Sequence, residues 1–266
     1  MKKTLQIFNG IAFVSVVLII YLSNTGKMNN TTIGEISGNL TTLFTPAGYA
    51  FAIWGLIYLS LFGFIIFQGR SLFVKVNDDD FVLKTGWWFT ISCIANGAWV
   101  FSWLYEFTGL SVLCIFILLF SLLKIVLNNN MERWDAPIPV IVFLWWPFVI
   151  YSGWVTVASI ANVSAWLVKM EWAGFGISET GWTVIMILIA GFVNFLVTWK
   201  RNMREFALVG AWALVAIAVA NWETNNAVVN TSLAVSAILF LSSSIHGFKN
   251  RATNPFNKLK QYYNRK

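Results

Sequence analysis

Stretches long enough to cross hydrocarbon follow one another almost without a break along this chain of 266 residues. A helix needs roughly 20 predominantly apolar residues to span a bilayer core, and such runs can be read at 6–22, 46–68, 86–106, 109–127, 137–163, 180–199, 205–222 and 227–247. Backbone in lipid must satisfy its own N–H and C=O groups, and continuous apolar runs of this length do so as helices. With 58 % apolar and only 11 % charged residues, the chain lacks the polar side chains to cover a soluble domain. The expected fold is an all-α integral membrane protein with eight spans.

Charge placement orients those spans. Of 18 Lys and Arg, only Lys27 and Lys169 fall on the side opposite the N-terminus once the spans alternate. Because Lys and Arg concentrate on the cytoplasmic side, both termini are expected inside, in a multi-pass protein of the bacterial inner membrane. The net charge of +7 is then topological, and no nucleic-acid role is read from it. The opening "MKKTLQIFNGIAFVSVVLIIYLSN" has the charge and apolar core of a secretory signal but no small-x-small cleavage site, so it is expected to stay as the first span.

The connections carry little chemistry. Residues 23–45, outside, hold Ile33, Ile36, Leu40 and Leu43 at near-helical spacing, which fits either a short amphipathic turn over the membrane or a cavity, or a solvated loop. "NDDD" at 77–80 reads as a solvated turn rather than a cation site. Cys93 and Cys114 lie at different depths and read as small packing residues. His246 has no acidic partner in sequence and reads as an interfacial polar residue, with no dyad or metal-spaced cluster elsewhere. The basic tail from Lys249 suits an anionic lipid surface, and chance accounts for its sterol-like spacing of Leu259, Tyr262 and Arg265.

Tryptophan is the residue in excess, 15 in all. Nine sit near predicted interfaces (Trp87, Trp88, Trp103, Trp134, Trp166, Trp172, Trp182, Trp199 and Trp222), where an amphipathic indole is at home. Trp54, Trp99, Trp145, Trp146, Trp154 and Trp212 lie deeper. At 1.5 Å per residue, Trp54, Trp99 and Trp154 all fall roughly 9–12 Å below the outer boundary. Each belongs to a helical stripe: Phe51, Trp54 and Tyr58 on the second span; Asn96, Trp99 and Trp103 on the third; Tyr151, Trp154, Ala158 and Asn162 on the fifth. Aromatic-plus-Asn stripes at one level imply either tight helix packing or a ligand cavity.

"PAGYAFAIWGLIY", "NGAW" and "YSGWVTVASIAN", on the second, third and fifth spans, resemble three signatures of the translocator protein family, the tryptophan-rich sensory proteins or TspO/MBR family. The resemblance covers roughly residues 5–165. It implies a five-helix bundle whose long first loop, 23–45, folds as a lid over a pocket. It also implies a hydrophobic small-molecule ligand, a porphyrin or other tetrapyrrole, with no cofactor required. Carried over position by position, the pocket would use Pro46, Ala50, Phe51, Trp54, Tyr58, Asn96, Trp99, Tyr151, Trp154, Ala158 and Asn162. Pro46 and Gly48 would set the turn from lid to helix. This chain departs from the family pattern in having Val100 and Phe101 where relatives place prolines, no Trp in the fourth span, and three further spans over 166–248 before the tail at 249–266.

The expected function is therefore a membrane binding protein or sensor for a planar hydrophobic ligand, and not an enzyme, although photochemical breakdown of a bound porphyrin would need no acid–base groups. A transporter of such a ligand, for which Pro139 and Pro147 would supply breaks in the fifth span, is the first alternative. A structural subunit, with a second copy or another membrane protein against the added spans, is the other.

Overall fold

Each apolar run is a helix in the computed structural model of the chain, which describes residues 1–76 and 79–250. Asn77 and Asp78 of the acidic run, and the tail pattern Leu259, Tyr262 and Arg265, lie outside the described residues. In chain order the helices are α1 (Lys2–Ser23), the short α2 (Ile33–Asn39), α3 (Ile53–Gly69) entered through a 3-10 turn at Gly48–Ala52, α4 (Phe81–Thr85), α5 (Trp88–Leu104), α6 (Thr108–Asn128), α7 (Ile138–Val140), α8 (Trp146–Lys169), α9 (Glu179–Arg201), α10 (Arg204–Ala220) and α11 (Asn226–Lys249). Six helical stretches are long and apolar enough to cross a membrane, with Gly48–Leu72 and Ile138–Lys169 each counted as one. Two more, α5 and α10, have 17 residues each, about 26 Å at 1.5 Å per residue, and pack within the same bundle.

The fifth run is broken where prolines demand it. Pro147 has no N–H to donate to the preceding turn, and its ring would press on the carbonyl four residues back. The chain answers with a π-helical stretch at Ile141–Trp145, so that α8 starts with Pro147 in its first turn, where the missing donor costs nothing. By contrast α5 runs straight through Val100 and Phe101, as a proline-free sequence should.

Packing follows two groupings joined at one seam. Helices α3, α1, α5, α6 and α8 close a ring in which each touches the next and α8 returns to α3. Helix α10 lies against α8 and is itself covered by α9 and α11. The seam is close because Gly153 of α8 faces the Phe206 main chain of α10, whose carbonyl oxygen and Cα lie 3.1 and 3.2 Å from where a Cβ would stand.

At the end away from the loop 23–45, the N-terminus is pinned by an ion pair. Lys2 donates to Asp79 at 2.5 Å and reaches Asp80 at 3.7 Å. Asp79 is only 5 % exposed, so this part of the acidic run is not the solvated turn its sequence suggested. The Lys2 ammonium, helped by the Ser71 hydroxyl, holds the Asp79 carboxyl below the ordinary carboxylate range. Beside it, Gln6 donates to the Gln68 carbonyl and to Ser71 Oγ, and Asn9 donates to Gln68 Oε1 at 3.1 Å. These bonds tie α1 to the end of α3.

Candidate functional site

The stripes from three helices meet. Trp54 of α3 lies at the centre, its ring centroid 5.7 Å from Tyr58, 6.4 Å from Trp99 of α5, and 5.9 and 6.3 Å from Tyr151 and Trp154 of α8. Phe51 stands edge-on to Trp154 at 6.0 Å, and Trp103 stacks on Trp99 at 6.0 Å. Offset and edge-to-face arrangements at these separations are the favourable ones for aromatic quadrupoles. The shared level expected from helical rise is thus a real layer of indoles.

Polar groups in the layer are paired along the helix seams. Asn96 Nδ2 donates to both phenol oxygens, Tyr58 at 2.8 Å and Tyr151 at 2.9 Å, and so closes the floor of the cluster. Trp99 Nε1 donates to Asn162 Oδ1 at 2.9 Å, and Asn162 Nδ2 donates to Ser111 Oγ of α6 at 2.8 Å. The fourth span, which carries no Trp, thus joins the layer through a serine. Two buried groups are left over: Trp154 Nε1 and Asn96 Oδ1 have no partner in the protein. An unmade hydrogen bond of this kind costs about 1–3 kcal/mol.

The lid is the loop 23–45, and its core is α2. Thr32 accepts from the Glu35 main-chain N–H, and the Glu35 carboxylate accepts from the Thr32 N–H, a complete capping box. The Thr32 N–H first, then the Thr32 and Thr31 hydroxyls, hold the Glu35 carboxyl below its ordinary range. Ile33 and Ile36 turn inward and are buried, as the near-helical spacing suggested. Trp103 Nε1 donates to the Ile33 carbonyl at 3.3 Å, and Asn29 Nδ2 donates to the Leu104 carbonyl at 2.7 Å. Trp103, expected at the membrane interface, is instead 6 % exposed because the lid covers the end of α5.

The added helices hold the lid from the other side. Leu43 has both main-chain groups taken: its N–H donates to Glu179 Oε1 of α9 at 3.1 Å, and its carbonyl accepts from Asn221 Nδ2, just past α10, at 2.9 Å. Ala47 N–H donates to the Ala216 carbonyl of α10 at 3.0 Å. Trp212, read from depth as an interior residue, is 41 % exposed and stands edge-on to Tyr49 at 5.2 Å. It serves the lid hinge rather than the aromatic layer.

Of the residues expected in the pocket, Pro46, Phe51, Trp54, Trp99, Trp154, Ala158 and Asn162 line one partly open space under the lid. Tyr58, Asn96 and Tyr151 form the hydrogen-bonded floor below it, and Ala50 is fully buried beside the hinge. Sequence reasoning missed the lid's own contribution from Ser37 and Thr45, and Val157, Ala161 and Ala165 on the α8 face. An i+3 step from Trp154 to Val157, followed by i+4 steps to Ala161 and Ala165, would have found the last group. With the lid down, the space measures about 50 Å³. Among the described residues no group of three His, Cys, Asp or Glu is placed to hold a metal ion, and Cys93 and Cys114 are both free and buried.

The fold and this layer define a polytopic helical membrane protein with an aromatic-lined chamber beneath the loop 23–45. The family model described as TSPO-like protein matches residues 6–245, and the chain belongs to that family. The match runs through the three added helices as well as the ring. No curated protein and no solved structure matches the chain.

Proposed function

We propose that this TSPO-like protein binds a planar hydrophobic molecule, a porphyrin or another tetrapyrrole, in the chamber under the lid and acts as a membrane binding protein or sensor for it. The observation that carries the reading is the Trp154 indole N–H, which is buried without an acceptor in the wall of a chamber lined by aromatic and small apolar side chains. A ligand carbonyl or carboxylate would supply the missing partner while its flat face stacks on Trp54 or Trp99. Pockets that hold drug-sized molecules measure about 300–1,000 Å³, against about 50 Å³ here. The ligand therefore enters only when α2 and the segment up to Pro46 lift and the half-buried Trp54 ring moves aside. In this reading residues 1–165 are the binding unit and 166–248 support its lid. The excess of Lys and Arg at the end opposite the lid makes that end cytoplasmic, in the inner membrane of a bacterium.

Titrating protoporphyrin into the full chain in detergent micelles should quench tryptophan fluorescence saturably, and Trp154→Phe should weaken binding about tenfold, equivalent to about 1.4 kcal/mol. Unchanged affinity in the Trp54→Phe, Trp154→Phe double variant would defeat the reading.

A further inference from the structure

A second cavity at the lid end is about five times the volume of the aromatic chamber, about 250 Å³ against about 50 Å³. It lies between the lid residues Thr42 and Phe44, the last turn of α8, the loop 170–178 and the start of α9. Three aromatic rings crowd this corner: Trp172 is 5.2 Å from Trp182 and 5.3 Å from Phe175 by ring centroid, and the two indoles both line the cavity. Trp182 is fixed, because its Nε1 donates to the Gly174 carbonyl at 2.8 Å. Gly174 has φ +66°, and a Cβ there would stand 3.2 Å from the Trp182 ring, so glycine is what lets the loop lie on the indole.

The charge of the wall is one-sided. Glu179 is the one charged residue in it. Its Oε1 accepts from the Leu43 N–H, and among the described residues no Lys or Arg forms an ion pair with it. The positive end of α9 offsets part of the carboxylate's charge and leaves a remainder. Indole faces attract cations through the ring quadrupole, and a carboxylate beside them adds to that attraction. The inner chamber, with no charged residue in its wall, has different chemistry.

We propose that this corner is a second binding site, distinct from the chamber under the lid, and that it takes a lipophilic organic cation, an ammonium group carried on an apolar body. The cationic head sits between the Trp172 and Trp182 faces and Glu179, and the apolar body lies along Leu167, Val168 and Met186. The proposal does not depend on the tetrapyrrole reading.

Benzyltrimethylammonium and neopentylbenzene, which has carbon in place of the charged nitrogen, separate charge from shape. Equilibrium dialysis of each labelled probe against the full chain in detergent should show saturable binding of the cation at least tenfold tighter than that of the neutral compound. Glu179→Gln keeps an acceptor for the Leu43 N–H and removes the charge, and should weaken cation binding at least tenfold. Trp172→Leu, at a partly exposed site, should do the same, while Trp54→Phe leaves it unchanged. Equal affinity for the two probes, no saturable binding of the cation, or wild-type affinity in Glu179→Gln overturns the proposal. Loss of binding in Trp54→Phe also overturns it, by placing the cation in the inner chamber.

Discussion

Trp99 and Trp154 occupy the same layer and are both almost fully buried, yet their indole N–H groups end differently. One donates to Asn162 and the other to nothing. Replacing either by Phe removes the same volume, so the difference between the two variants isolates the hydrogen bond. Trp99→Phe strands Asn162 Oδ1, whereas Trp154→Phe removes a donor that was already unmet. Trp99→Phe should therefore cost about 0.5–2 kcal/mol more than Trp154→Phe, the lower figure reflecting how modest interhelical hydrogen bonds are in membranes. Thermal unfolding of the two purified variants without ligand checks this, and equal melting temperatures would mean the Asn162 bond contributes nothing. The aromatic stripes were legible in the sequence because helical spacing places residues on one face whatever the neighbours do. The Asn96 bridge between Tyr58 and Tyr151 was not, since it depends on how far α3, α5 and α8 are rotated toward one another. The same holds for Asp79: an Asp in a polar run looks solvated until Lys2, 77 residues away in sequence, is placed against it.

The lid is held by helices that the resemblance to five-helix relatives does not include. Leu43 is bracketed between Glu179 and Asn221, and Ala47 is bonded to a carbonyl inside α10. A segment whose main-chain groups are bonded to rigid helices opens less often than one bonded only to itself. Asn221→Ala removes the clasp on the Leu43 carbonyl while leaving the Ala47 bond in place. Amide hydrogen exchange across residues 40–47 should then speed up several-fold, and protoporphyrin should associate faster, with little change in the melting temperature. Exchange that matches wild type in this segment would show that the clasp does not govern opening. The sequence marked α2 through Ile33 and Ile36, and the Thr32 and Glu35 spacing of its capping box was there to be read as well. The clasp itself was invisible, because an Asn near the end of an apolar run carries no sign of the loop it will meet 178 residues back in the chain.

At the scale of the whole molecule, apolar runs report how many helices there are and which ends share a side, but not which helix packs on which. All the runs are greasy, and lipid gives no hydrophobic reason to prefer one partner over another. Partner choice lies in small residues whose meaning appears only with the facing element known. Gly153 lies against the Phe206 main chain, Gly191 against Val235, and Gly210 against the Asn194 side chain. Gly153 matters most, because it sits in the seam between the ring and the added helices and next to Trp154 of the aromatic layer. A leucine there has backbone to displace, not a flexible side chain, so α10 must move away from α8. Overpacking of this kind costs about 1–3 kcal/mol. Since α10 also carries the carbonyl that holds Ala47, the displacement should reach the lid: Gly153→Leu should lower the melting temperature and speed amide exchange across residues 42–50 together. Gly10→Ala, where a Cβ meets no neighbour within 4 Å, serves as the control and should do neither. A lower melting temperature with the lid's exchange unchanged would mean that the ring keeps its lid closed without α10, and that the three added helices serve some other end.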